Sequence, residues 1–253
     1  MEVIHRKYAD LNFEKLLKLR LKSTRIPDDL IEFYLQHELR APERGQERFA
    51  KITYTLRSLK RSFHQKYYCL DLGCGTGWWT YLFNKHGINC CGLDISSVGI
   101  QKGREKFGNV QFVVGDALNL PFKYKSFDFI FCRGLSLFNV EDLQQVKEIG
   151  NGFLRYLRNG GLLFIVWASD LSNMRSTDTF MNHTLKSWED YLSSLNCKII
   201  GIYFTHRLFF PVLKDIALSK ILTAIFSKIF SIMPLRGKFR YIRGESIYVC
   251  KVE

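Results

Sequence analysis

The chain has 253 residues, 47% of them hydrophobic, enough for one large α/β domain or for a domain of ordinary size with an appendage. Glycine and proline are not raised and no repeat or low-complexity tract occurs, which excludes a largely disordered chain. The net charge of +13 sits on the flanks: residues 1–66 carry 15 Lys/Arg against nine Asp/Glu and residues 201–253 carry nine against three, while the middle is nearly neutral. Such flanks attract nucleic acid, anionic lipid or an acidic substrate, or they are solvated surface.

The opening stretch, "MEVIHRKYADLNFEKLLKLRLK", is charged throughout and lacks the uninterrupted apolar segment of a secretion signal. No run of about 18 residues is free of charge, so no ordinary transmembrane helix is indicated. The expectation is a cytoplasmic protein, with peripheral contact at the inner face of the membrane left open. Residues 8–62 read as helices: Leu11, Leu16, Leu17, Leu19 and Leu21 lie among charges, Pro27, Asp28 and Asp29 suit a helix start, and Phe49, Ile52, Leu56 and Leu59 recur at helical spacing. An N-terminal helical cap over 1–65 is expected.

The pattern then changes. "YYCLDLG", "INCCGLD", "VQFVVGD", "FDFIFCRG" and "GGLLFIVW" are short, almost continuously apolar, and closed by Gly, Asp or another polar residue. Strands buried on both faces look like this. Between and after them lie helix-compatible segments at Trp78–His86, Ser97–Phe107, Val140–Leu157 and Asn182–Leu195. The alternation predicts a doubly wound, mostly parallel α/β sheet over 66–205. "CKIIGIYFTH" and "ESIYVCKV" are two further strands, the second closing the core over 244–253, with a helical insertion over 206–243 between them. The seven cysteines, odd in number and without a CxxC pair, read as small buried hydrophobes in a reducing compartment, and no metal site is expected.

"LDLGCGTGWWT" closes the first strand and opens the first helix, where doubly wound folds bind nucleotides. Its glycines, Gly73, Gly75 and Gly77, are spaced GxGxG rather than the GxGxxG of a dinucleotide fingerprint. Asp71, two residues before the first glycine, is a poor neighbour for a pyrophosphate and a good one for an ammonium group. The loop therefore fits a ligand that joins a cationic amine to a nucleoside.

At these residues the sequence resembles the class I S-adenosyl-L-methionine-dependent methyltransferases, in particular those acting on small molecules, quinones and lipids. The likeness covers roughly 66–205 and includes "LDLGCGTG", "GLDIS", "GDALNLPF", "FDFIFCRGLSLFNV" and "LRNGGLLFIVW" in order. It implies a seven-stranded Rossmann-like sheet and S-adenosyl-L-methionine as cofactor. It also implies roles by position. Gly73, Gly75 and Gly77, with Cys74, would let the backbone approach the methionine part, and Asp71 would take its amino group. Asp94, with Ile95 beside it, would accept the ribose hydroxyls. Asp116 and the Ala117 N–H would meet the adenine, and Arg133 and Leu135 would lie beside the cofactor. The bland alternatives are turn acids at the strand ends, a local salt bridge for Arg133, and core packing rather than cofactor cover for Trp78 and Trp79.

Methyl transfer from a sulfonium needs alignment more than a catalytic dyad, and no residue stands out as catalytic. The Asn/Asp-Pro-Pro-aromatic signature of base amino-methylases and the Pro-Cys of cytosine-C5 enzymes are missing. His5, Tyr8, Tyr34, His37, His183 and His206 are the remaining acid–base groups, each with a surface or core reading. In 216–233 apolar residues cover a wide helical face, and Arg236, Lys238, Arg240 and Arg243 follow. Residues 207–243 thus read as a lid, as a membrane-surface contact or as a subunit interface. The expected activity is methyl transfer to a small-molecule or lipid-like acceptor. RNA or protein methylation, with nucleic acid the less favoured partner, and a non-catalytic cofactor-binding assembly partner are the alternatives.

Overall fold

The computed structural model describes residues 67–170, 183–204 and 244–253. The cap expected over 1–65 and the insertion expected over 206–243 lie outside the described residues. In chain order the elements are β1 (Tyr68–Leu72), α1 (Trp78–Lys85), β2 (Asn89–Asp94), α2 (Ser97–Lys106), β3 (Gln111–Val114) and β4 (Phe127–Arg133). Two 3₁₀ turns (Ser136–Phe138 and Leu143–Val146) and α3 (Lys147–Leu154) follow, then β5 (Leu157–Asp170), β6 (His183–Thr184), α4 (Leu185–Ser194), β7 (Lys198–Phe204) and β8 (Gly244–Lys251).

The strands form one sheet in the order β3-β2-β1-β4-β5-β8-β7, with the two-residue β6 paired to the end of β5. The pairings from β3 across to β5 are parallel, and β8 is antiparallel to both of its neighbours. Among the described residues this is the doubly wound, mostly parallel sheet of seven main strands that the apolar runs predict.

The strands are continuously apolar because each face of the sheet carries its own core. In β5, Leu163, Ile165 and Trp167 pack with Phe153 and Leu154 of α3 and with Trp188, Tyr191 and Leu192 of α4. The alternate residues, Leu162, Phe164 and Val166, pack with Phe129 and Phe131 of β4 and with Trp79, Leu82 and Phe83 of α1. At about 25 cal/mol per Å² of apolar surface, this two-sided burial is the main term favouring the fold. The starts of α2 and α4 are capped by side chains: Ser96 accepts from the Gly99 N–H at 3.0 Å, and Thr184 accepts from the Ser187 N–H at 3.0 Å.

One predicted helix is shorter than its pattern. Over Val140–Leu157 the chain first makes a 3₁₀ turn, capped by Asp142 accepting from the Gln144 N–H at 2.9 Å, and the α-helix proper spans only Lys147–Leu154. Leu157 already belongs to β5, opposite Phe127. The register between Phe127 and Phe129 then shifts, a bulge in which Gly160 takes φ 71°. Main-chain bonds from Gly160 N–H to Val252 and from Val252 N–H to Gly161 tie that bulge to the end of the chain.

Candidate active site

Strand order reverses at β1: β2 and β3 run off to one side, β4 and β5 to the other. Ligands of open α/β sheets bind at the carboxyl ends of the strands at such a switch point. The Gly73–Gly77 loop leaves β1 there. The N–H groups of Gly73 and Cys74 both donate to the Leu93 carbonyl, at 2.8 and 3.0 Å, and fasten the loop to the end of β2. Asp94, the last residue of β2, completes the fastening: Oδ2 accepts from the Gly75 N–H and Oδ1 from the Ser96 N–H, both at 2.9 Å.

Two of the three glycines serve different ends. Gly77 caps α1 with φ 81°, and a Cβ there would run into the Phe112 ring, so it is demanded by packing as well as by backbone. At Gly75, φ is 56° and, among the described residues, a Cβ would meet nothing within 4 Å. That opening is where a ligand can approach bare backbone.

Asp71, only 2% exposed, accepts from Thr80 Oγ1 at 2.6 Å. Asp94 and Ile95 are half-buried. Asp116 organises the turn after β3, with Oδ1 accepting from the Leu118 N–H at 2.9 Å and its carbonyl from the Asn119 N–H at 3.0 Å. The Gly115 N–H reaches the Asp94 carbonyl at 2.9 Å, which joins this turn to the end of β2, and Ala117 is half-buried beside it. Past β4, Leu135 is buried over Gly73, and the Arg133 guanidinium lies over the Trp79 ring, 5.5 Å from its centroid. The sheet therefore brings Asp71, the glycine loop, Asp94, Ile95, Asp116, Ala117, Arg133 and Leu135 to one edge. Trp79 is a core residue against Phe131 and Phe83, and Trp78 packs on Tyr81 and Phe107.

Cys74 is buried, and burial, with Asp71 and Asp94 adding to it, pushes its thiol well above the usual range, so it is no nucleophile at neutral pH. Burial likewise raises Cys69 to about 11 and Cys91 to about 12. All seven cysteines are free thiols.

Residues that sequence reasoning did not single out also shape the edge. The Thr80 hydroxyl donates to Asp71 and the Ser96 N–H to Asp94; the Ser–x–x–Gly cap was a weak signal for Ser96, and nothing marked Thr80. Of the acid–base groups that the sequence offers, His183 lies among the described residues. His183 is fully buried, with Nε2 3.0 Å from the Phe138 carbonyl, in a box with Trp167 and Trp188. A carbonyl only accepts, so Nε2 is the donor in this bond. Burial lowers the His183 pKa, against a smaller opposing effect of the bond to Phe138.

Donors and acceptors here fit a nucleoside bearing an amino acid. Asp94 spends one lone pair of each oxygen on backbone and retains others for two vicinal hydroxyls, Asp71 supplies negative charge, and the Gly75 opening admits a thin chain. Among the described residues no group of three His, Cys, Asp or Glu side chains could hold a metal, and no helix is long and apolar enough to cross a membrane.

Comparison with known proteins agrees with this geometry. Residues 69–161 match a family described as "Methyltransferase domain". A demethylmenaquinone methyltransferase of Staphylococcus haemolyticus is 40% identical over 102 residues, which is 37% of this chain and 40% of that protein. The chain thus matches less than half the length of this relative. A TehB-like S-adenosylmethionine-dependent methyltransferase from Corynebacterium glutamicum superposes with a TM-score of 0.57 at 14% identity, covering 90% of this chain and all of that one. The [4+2]-cyclase SpnF superposes with a TM-score of 0.53 at 15% identity over 79% of this chain and 80% of its own. The fold is that of the Rossmann-like S-adenosylmethionine methyltransferases.

Proposed function

We propose that this chain, whose residues 69–161 match a methyltransferase domain family, transfers a methyl group from S-adenosyl-L-methionine to a small-molecule or lipid-like acceptor. The observation that carries the reading is the cradle at the strand-order reversal: the Gly75 opening, with Asp94 clamped beside it through both carboxylate oxygens.

In this reading Asp94 accepts the ribose hydroxyls, with Ile95 against the nucleoside. Asp116 and the Ala117 N–H meet the adenine. Gly73, Cys74, Gly75 and Gly77 lie along the methionine part, Asp71 takes its ammonium group, and Arg133 faces its carboxylate, a pairing suited to guanidinium geometry. Leu135 covers the loop and keeps water from it. When bound, the cofactor supplies a methyl carbon already activated on a sulfonium, so the protein's part is to align the acceptor and exclude water.

The acceptor class rests on two supports. The Staphylococcus haemolyticus relative is named for demethylmenaquinone, and residues 207–243 combine a wide apolar pattern with a basic cluster. Both ends of that segment join the sheet at its carboxyl edge, since β7 ends at Phe204 and β8 begins at Gly244, with Phe204 paired to Ser246. Membrane-surface contact through it belongs to the same proposal. A second reading, a cofactor-binding protein whose reaction is not methyl transfer, has one support: a [4+2]-cyclase shares the fold.

The test is incubation with methyl-tritiated S-adenosyl-L-methionine and a cell extract, followed by partition into organic, aqueous, RNA and protein fractions. Label in the organic or small-molecule fraction is the expected result. Label retained on RNA or protein would redirect the acceptor, and no label despite measured cofactor binding would favour the second reading.

A further inference from the structure

Glycine within a strand packs nothing and weakens the strand, so it asks for a reason. Gly92 is buried in β2, directly opposite Asp71 of β1. A Cβ on Gly92 would come within 2.7 Å of Thr80 Oγ1, 2.8 Å of Cys74 Sγ and 2.9 Å of Phe112 Cδ1. The loop, the first turn of α1 and β3 thus fold three side chains into the space that a β2 side chain would take.

Thr80 is fully buried, and its hydroxyl donates to Asp71 Oδ2 at 2.6 Å. Its position is rigid. β-branching restricts χ1. The Thr80 carbonyl accepts from Asn84 Nδ2 at 2.9 Å, and the same amide nitrogen donates to the Cys90 carbonyl of β2 at 2.7 Å. α1, β1 and β2 are therefore locked to one another around the Asp71 carboxylate. Holding Oδ2 fixes the torsion of the carboxylate and with it the position of Oδ1.

We propose that Thr80 is a positioning residue for the cofactor's ammonium group, acting through Asp71, and that Gly92 is the vacancy that admits its hydroxyl. The assignment rests on the cofactor reading above and adds to it a residue outside the glycine motif. An alternative, that Thr80 merely fills the core, predicts the same loss for every ligand of the cradle.

Two probes separate these. S-adenosylhomocysteine carries the amino-acid group, and 5′-methylthioadenosine shares the nucleoside and thioether but lacks that group. Calorimetric titration of both into wild type, Thr80→Val, Thr80→Ser and Gly92→Ala, with thermal unfolding of each, gives the test. Thr80→Val is expected to weaken S-adenosylhomocysteine about tenfold, the scale of one charged hydrogen bond, and to leave methylthioadenosine within about twofold. Thr80→Ser restores the difference between the ligands, and Gly92→Ala, which crowds Cys74 and Phe112 as well, lowers affinity for S-adenosylhomocysteine at least as much as Thr80→Val. Equal loss of both ligands in Thr80→Val, or unchanged affinity for S-adenosylhomocysteine, overturns the assignment while leaving the cofactor reading intact. Wild type that binds neither probe overturns the cofactor reading and the assignment with it.

Discussion

The two halves of the sheet are held by different means. Over β1, β2 and β3 the carboxyl edge is backbone: main-chain N–H groups are held on the Leu93 carbonyl, on the Asp94 carbonyl and carboxylate, and on Asp116. Beyond β4 one face of the sheet is packed with buried aromatic rings. Phe138 touches Trp167, Trp188 and Tyr191, Trp188 stacks on Tyr248 with centroids 5.0 Å apart, and His183 closes the group on the Phe138 carbonyl. The first half takes its shape from short loops and turn residues. The second takes its shape from bulky side chains far apart in sequence, as in the 45 residues between His183 and Phe138. A cradle of the first kind suits an invariant ligand, because backbone geometry changes little with side-chain identity. A buried aromatic cluster of the second kind contributes mainly to stability.

Mutations that remove aromatic volume test that division most forcefully. Trp188→Ala, at a fully buried position, is expected to cost about 3–5 kcal/mol in denaturant unfolding and to leave cofactor affinity of the folded fraction within about twofold. A large affinity loss would show that the two halves are coupled. Next is the contrast within the glycine loop. Gly77→Ala combines a positive φ with a collision against Phe112 and is expected to cost about 2–4 kcal/mol. Gly75→Ala bears only the backbone strain, about 1–2 kcal/mol, yet it should abolish measurable S-adenosylhomocysteine binding because its methyl group enters the ligand's space. Equal stability losses with binding retained in Gly75→Ala would remove the argument for the opening.

Asp94→Ala follows. Losing the bonds to the Gly75 and Ser96 N–H groups is expected to cost about 1–3 kcal/mol of stability and, in calorimetry, on the order of 100-fold in cofactor affinity. An affinity loss that merely tracks the stability loss would reduce Asp94 to a loop brace. The smallest effect is on the aromatic side. Because burial lowers the His183 pKa below its unfolded value of about 6.5, the unfolded chain binds the extra proton first as pH falls. Its contribution to stability is complete above pH about 6.5 and is lost as pH drops from there through the folded value. His183→Gln should flatten the wild-type stability–pH curve across that window, and an unchanged slope would place the sensitivity elsewhere.

Legibility in the sequence followed the same division. "LDLGCGTG", "GLDIS" and "GDALNLPF" are contiguous, and each encodes a strand end and its turn in a few residues, so the positions of Asp71, Gly75, Asp94 and Asp116 on one edge could be read before any coordinates. Helix boundaries were less legible where a local cap competed with periodicity, as when Asp142 turned the start of Val140–Leu157 into a 3₁₀ turn. The wall of Phe138, Trp167, His183, Trp188 and Tyr191 was not legible, because no periodicity joins residues brought together from four separate elements.

By itself the sequence determined the alternation of strands and helices, the two-sided burial of the sheet and the glycine–acid cradle. These depend on interactions within a few residues or on the apolar run of a single strand. Only the tertiary structure decided which groups complete the cradle. Thr80 reaches Asp71 because Gly92, on another strand, leaves room for its hydroxyl, and Leu135 covers Gly73 from beyond β4. Such pairings are set by where the sheet's register places two chains side by side, and that register is a property of the packed core as a whole.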